Sequence, residues 1–200
     1  MDMRPKALVI LVLVCLPRPL RAEAQGSIAG EIRIKNSKDF ADTVVYLLDV
    51  KGKWAPRKAV LAQKNKRLVP AVLPILIGST VDFPNFDPIF HNVYSLSKIK
   101  SFDLGLYAQG ESRSQSFDAP GVVDVYCSIH SAMRATILVR ENPFFAVTDG
   151  SGRFKIANVP AGTYEAAVWR GGRVSKSMTV SVKSKAASKI ELVLKKEPEE

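Results

Sequence analysis

After its first two dozen residues this sequence never repeats apolar side chains at the three-to-four-residue interval of an amphipathic helix. Its apolar runs are short, and either β-branched or alternating: SIAGEIRI, TVVYLL, AVLPILI, STVDF, HNVYSLS, VVDVYC, ATILVR, RFKIA, YEAAVW, MTVSV and KIELVL. Turn formers separate them, among them Gly78-Ser79, Pro120-Gly121, Asp149-Gly150-Ser151-Gly152, Pro160-Ala161-Gly162 and Gly171-Gly172. Many short strands at a spacing of roughly 8–12 residues predict an all-β sandwich. With 46% hydrophobic residues the chain can build a real core.

The first residues stand apart from that core. Arg4 and Lys6 precede the apolar run Ala7–Leu16, and Ala22-Glu23-Ala24 follows as an A-x-A cleavage pattern. This predicts a secretory signal over residues 1–24, too short to span a bilayer of about 30 Å. Arg18 and Arg21 crowd the cleavage site. A lipid-anchored Cys15 is the rival reading, and Val14 stands where such a site wants a small residue. The expected product is exported, periplasmic in a bacterial setting, with no integral membrane segment left. Cleavage lowers the net charge of +10 by two, because four basic residues and two acids leave together. A basic exported protein suits acidic partners. Nucleic acid is not expected, since no basic-aromatic binding pattern accompanies the charge.

Cleavage also changes the cysteine arithmetic. The sequence has two cysteines and two histidines. With Cys15 gone, Cys127 is an unpaired thiol in an oxidising compartment, which asks for an explanation. It lies in VYCSIHSAM, where Cys127, His130 and Met133 are spaced three apart. The other histidine, His91, follows a Pro- and Asn-rich turn in FPNFDPIFHNVYS and opens an alternating run. Both histidines thus fall at strand ends, where side chains converge at one pole of a sandwich. Two imidazoles and a thiolate with an axial thioether form the ligand set of a blue-copper site. Thiolate and thioether favour Cu(I), and imidazole also satisfies Cu(II). Taken singly, Cys127 and Met133 are ordinary core residues. Zinc is the alternative metal, though its sites rarely take methionine. No histidine is spare for a second, catalytic metal, so the reading is of a non-enzyme.

HNV followed by C-S-I-H-S-A-M resembles the cupredoxins, and the short C-x2-H-x2-M spacing is most similar to amicyanin. The resemblance covers roughly Ala59–Arg140, including the approach STVDFPNFDPIFHNVYS and the strand PGVVDVYCSIH. It implies a Greek-key sandwich holding one type 1 copper on His91, Cys127, His130 and Met133. It further implies that Asn92 ties the ligand loop near Ser128 to the first-histidine strand. The run SKIKSFDLGLYAQGESRSQSFDAPG before Cys127 has no clear counterpart. In the family an apolar patch at the second histidine receives redox partners. Here Pro84, Phe86, Pro88, Ile89 and Phe90, with Ile129 and Ala132, are its candidates. Phe86 is expected to be exposed because Asn85 and Asp87 flank it, and Phe83 and Phe90 are expected in the core.

TDGSGRFKIANVPAGTYEAAVW resembles the carboxypeptidase regulatory-like, transthyretin-like sandwich, whose opening strand pair looks like GSIAGEIRI and TVVYLLD far upstream. The expected organisation is therefore residues 25–55 with 144–195 as a transthyretin-like sandwich, 56–143 as the cupredoxin unit and 196–200 as a charged tail. One enlarged cupredoxin with extra strands at both ends is the competing arrangement. Asp149 and Ser151 supply too few oxygens for calcium and read as a hairpin turn. Residues 51–67 carry seven basic residues and no acid. Docking an acidic partner and protecting a strand edge are both open for them.

The reading as a whole is an exported electron carrier between periplasmic redox proteins, with a dehydrogenase or a cytochrome as its partner. The alternative is a copper-sequestering or metal-free sandwich that binds protein or carbohydrate.

Overall fold

The computed structural model describes residues 25–34, 40–175 and 177–194, so the expected signal over residues 1–24 and the expected charged tail over 196–200 lie outside the described residues. Among those described there is no helix, and none long and apolar enough to cross a membrane. The expectation of an all-β chain holds.

Among the described residues eighteen strands follow one another. They are β1 (Gln25–Ile34), β2 (Val44–Leu47), β3 (Lys58–Val60), β4 (Ala62–Lys64), β5 (Arg67–Val69), β6 (Val72–Leu76), β7 (Ser79–Pro84), β8 (His91–Ser97) and β9 (Lys100–Tyr107). After them come β10 (Ser112–Phe117), β11 (Gly121–Tyr126), β12 (Arg134–Arg140), β13 (Phe145–Val147), β14 (Arg153–Pro160), β15 (Gly162–Arg170), β16 (Arg173–Val174), β17 (Met178–Val182) and β18 (Ala187–Leu194).

The strands between Lys58 and Arg140 pair among themselves. Sheets ordered β10-β7-β3 and β6-β12-β11-β8-β9 enclose Leu61, Val81, Phe83, Val93, Phe117, Val125 and Ile137. The flanking strands likewise pair with each other across the length of the chain. β14-β1-β18 faces the sheet of β13, β2, β15 and β16, with β17 also on β15, around Ile28, Ile32, Val45, Leu47, Ile156 and Val168.

A third cluster joins the two sandwiches. Val44, Tyr46, Ala167 and Trp169 pack with Val72 and Leu138. This explains why VVYL and AAVW do not alternate. Side chains of a strand point to opposite faces, and here both faces are covered: Val45 and Leu47 enter one core while Val44 and Tyr46 enter the junction. The guanidinium of Arg140 lies 3.8 Å over the Tyr46 ring in the same seam.

The run without a counterpart is a further pair of strands. β9 follows β8 as an antiparallel neighbour, and β10 crosses to pair with β7. Phe102, Leu104 and Tyr107 of β9 and Phe117 of β10 join the core.

Candidate metal centre

β8 and β11 are antiparallel neighbours, with Tyr126 at the end of β11 paired to Tyr94 of β8. The start of β8 and the end of β11 therefore lie at the same edge of the sheet, which brings His91, opening β8, and Cys127, directly following β11, to one pole. The chain then turns back into β12, carrying His130 and Met133 through the turn. The turn is closed by the Cys127 N–H donating to the Met133 carbonyl at 3.1 Å and the Met133 N–H donating to the His130 carbonyl at 3.0 Å.

The Cys127 sulfur lies 3.9 Å from Nδ1 of His91 and 4.0 Å from Nδ1 of His130. One donor atom from each residue fits within 4.8 Å of the others, and among the described residues no other cluster of His, Cys, Asp or Glu does so. Three atoms so spaced have a common point about 2.4 Å from each, near the 2.0–2.3 Å of metal bonds to imidazole and thiolate. The two rings pack edge to face with centroids 4.8 Å apart. Met133 is fully buried in the same core cluster as Cys127. The residues present therefore fit a soft, small-coordination metal such as copper.

Burial differs between the two histidines. His91 is wholly enclosed, while His130 is partly exposed. His91 is aligned from behind by Asp87, whose Oδ2 lies 2.9 Å from Nε2. Asp87 is itself buried. Burial opposes its ionisation, but N–H groups of Lys66 and Asn65 and the His91 ring outweigh that and hold its carboxyl below the usual range. An ionised carboxylate can only accept a hydrogen bond. Nε2 of His91 is therefore the protonated nitrogen, and the lone pair of Nδ1 is left facing the sulfur.

The Asn92 Oδ1 accepts from both N–H and Oγ of Ser128 at 2.8 Å, pinning the start of the turn that carries His130. Asn85 organises the preceding loop: its Nδ2 donates to the Ile89 and Tyr107 carbonyls, and its Oδ1 accepts from the Asp87 N–H. Behind the site, the Tyr107 hydroxyl donates to the Phe83 carbonyl and receives a hydrogen bond from Gln63. Burial pushes the Tyr107 hydroxyl pKa up.

The rim corrects two readings. Phe90 is not core but 60% exposed. The Asn85 amide holds the Ile89 carbonyl inward while His91 turns in next, so Phe90 between them is left facing out. Phe86 is exposed as expected, but its polar neighbours are the buried ones, Asn85 because it bonds the loop and Asp87 because it bonds His91. Phe83 is core as expected. Asp87 was legible only as a loop charge. Its place four residues before a histidine was the available signal.

A family profile described as polysaccharide lyase family 4, domain II, of fibronectin-III-like type, matches residues 131–190. A search of curated proteins returned no match. Solved structures similar to parts of this chain include amicyanin from Paracoccus versutus, at 20% identity and TM-score 0.39 over 48% of this chain and 97% of that one. A purple cupredoxin from Nitrosopumilus maritimus is 24% identical, with TM-score 0.38, over 41% of this chain and 99% of that one. A copper-containing nitrite reductase from Thermus scotoductus is 26% identical, with TM-score 0.41, over 48% of this chain and 25% of that one.

Proposed function

We propose that the chain is an exported, mononuclear blue-copper protein that carries single electrons between redox proteins. The observation that carries this reading is the convergence of His91 Nδ1, Cys127 Sγ and His130 Nδ1 around one point, beside the buried Met133. Copper held there would supply a Cu(II)/Cu(I) couple. His91 and His130 would complete the plane with Cys127, and Met133 would be the axial donor.

The remaining residues hold that arrangement still. Asp87 sets the tautomer of His91, Asn92 fastens Ser128, and the Cys127–Met133 bond closes the turn. A rigid set of donors needs little rearrangement between oxidation states, which favours fast transfer. His130 is the ligand nearest solvent, and Phe86, Phe90 and Ile129, each more than half exposed, surround that pole as an apolar platform for a partner. A dehydrogenase or a cytochrome would serve as donor or acceptor. We assign no substrate chemistry, because both histidines of the sequence are used in the one site. The strand pairing favours reading residues 56–143 as the electron-transfer unit, set into a sandwich made by 25–55 and 144–195.

Cyclic voltammetry of the copper-loaded protein tests this. A reversible one-electron wave, absent in Cys127→Ala, is expected; copper uptake with no reversible wave would contradict it. The match to a polysaccharide lyase domain favours one second reading, a sandwich that binds carbohydrate or protein without redox chemistry. That reading expects no such wave.

A further inference from the structure

The basic run at residues 51–67 divides in the fold. Lys58 lies on β3, an outer strand of its sheet, where lysine protects an open edge. Lys64, Lys66 and Arg67 instead gather at the tip of the β4–β5 hairpin. Edge protection does not account for them, because the turn has no free N–H to guard. The Asn65 and Lys66 N–H groups both donate to the Asp87 carboxylate, at 2.6 and 2.7 Å.

The same carboxylate bonds His91, so the hairpin tip is fastened through Asp87 to the loop that carries His91 into the site. A second link runs beside it: the Phe86 N–H donates to the Gln63 carbonyl at 2.9 Å. The three cationic side chains are exposed and enter no ion pair among the described residues. Their hairpin is bonded through Gln63 to the backbone of Phe86, which is 56% exposed and lies in the loop that ends at His91. Of the carboxylates tied into this loop, Asp87 is buried and spent, and Glu111, whose carbonyl accepts from the Asn85 N–H, holds the Ala108 N–H.

We propose that the hairpin tip of Lys64, Lys66 and Arg67 is the docking lip of the electron-transfer face, and that it selects a redox protein with an acidic surface. The inference rests on the proposed function for what is docked and on the fold for where. An apolar centre with a charged rim is the anatomy of a protein–protein contact. Three cations on one turn make too short a track for nucleic acid, whose binding scales with the number of phosphates neutralised. Rim charges act chiefly on encounter and partner choice.

The test titrates the mature protein with flavodoxin, an acidic redox protein, and with cytochrome c, a basic one, following amide NMR shifts with and without copper. Three chains are compared: wild type, the hairpin variant Lys64→Gln/Lys66→Asn/Arg67→Gln, and the control Lys51→Gln/Lys53→Gln/Arg57→Gln. Asparagine suits the left-handed backbone that Lys66 adopts at φ 56°. We expect flavodoxin to shift the hairpin and the Phe86–Phe90 loop, with affinity falling about tenfold in the hairpin variant and little in the control. The difference should vanish in about 0.5 M salt. Equal losses in both variants would mean net charge alone and would overturn the proposal, as would no loss in either, or tighter binding of cytochrome c. Because binding is read without copper as well, hairpin-dependent docking alongside a failed redox wave would sink the proposed function and spare this one.

Discussion

Asp87 connects three things that the linear sequence keeps apart: a hairpin turn, a loop and His91, the first of the proposed metal ligands. It accepts two backbone N–H groups from the turn and faces Nε2 of His91, all while buried. Replacing it by asparagine keeps the shape and removes the charge, so hydrogen bonds that were charge-assisted become ordinary ones. We expect Asp87→Asn to lower the stability of the metal-free protein by about 1–3 kcal/mol in urea titrations, and an unchanged midpoint would show that the network carries no load. At this scale the cluster of His91, Cys127 and His130 was legible because rare side chains fell into one short spacing. The residues that hold them were less so. Asn85 and Gln63 are common polar residues whose roles arise from where the backbone brings them, and their positions in the chain say nothing of that.

At the scale of elements, the turn between β13 and β14 shows a carboxylate used differently. The Asp149 carboxylate accepts from Ser151 and Arg153, and the Ser151 hydroxyl, Arg153 N–H and Arg153 side chain bring its pKa down from the ordinary 3.8 to about 2. A carboxyl depressed on folding stabilises fully above its unfolded pKa and loses that contribution as pH falls through the folded one. The gap in melting temperature between wild type and Asp149→Ala should be constant above pH about 5, narrow as pH falls through about 2, and close by pH about 1. A gap as wide at pH about 1 as at pH about 5 would contradict the account. These hydrogen bonds close the turn, but β13 and β14 belong to different sheets, so it is a corner between sheets and not the hairpin that the sequence suggested. Strands with strong β-branched runs were legible throughout. β4, β5, β9 and β10 were not, because their lysines, serines and glycines give no apolar run, and β10 also pairs with β7, a strand distant in sequence.

For the whole molecule, the seam between the two sandwiches decides whether they act as one body. Leu138 is almost fully buried there, against residues from β2, β6 and β15. Leu138→Ala removes apolar contact from a site that rigid sheets on both sides cannot close, so a loss of about 2–4 kcal/mol is expected in denaturant unfolding. A loss well below 1 kcal/mol would indicate that the seam is loose. The sequence held a trace of this seam in its doubly apolar strands, VVYL and AAVW, although nothing in them told which partner covered the second face. The resemblance reads the two flanking segments as halves of one sandwich; in the fold β1 pairs with β14 and β2 with β15. The central claim of the account remains the site at the far pole. Its most direct test is to add one equivalent of Cu(II) to the mature protein and record visible and EPR spectra beside those of Cys127→Ala. The account predicts an intense blue thiolate-to-copper band with narrow hyperfine splitting, lost in the variant. A colourless complex with an ordinary copper spectrum, the same in both proteins, would contradict it.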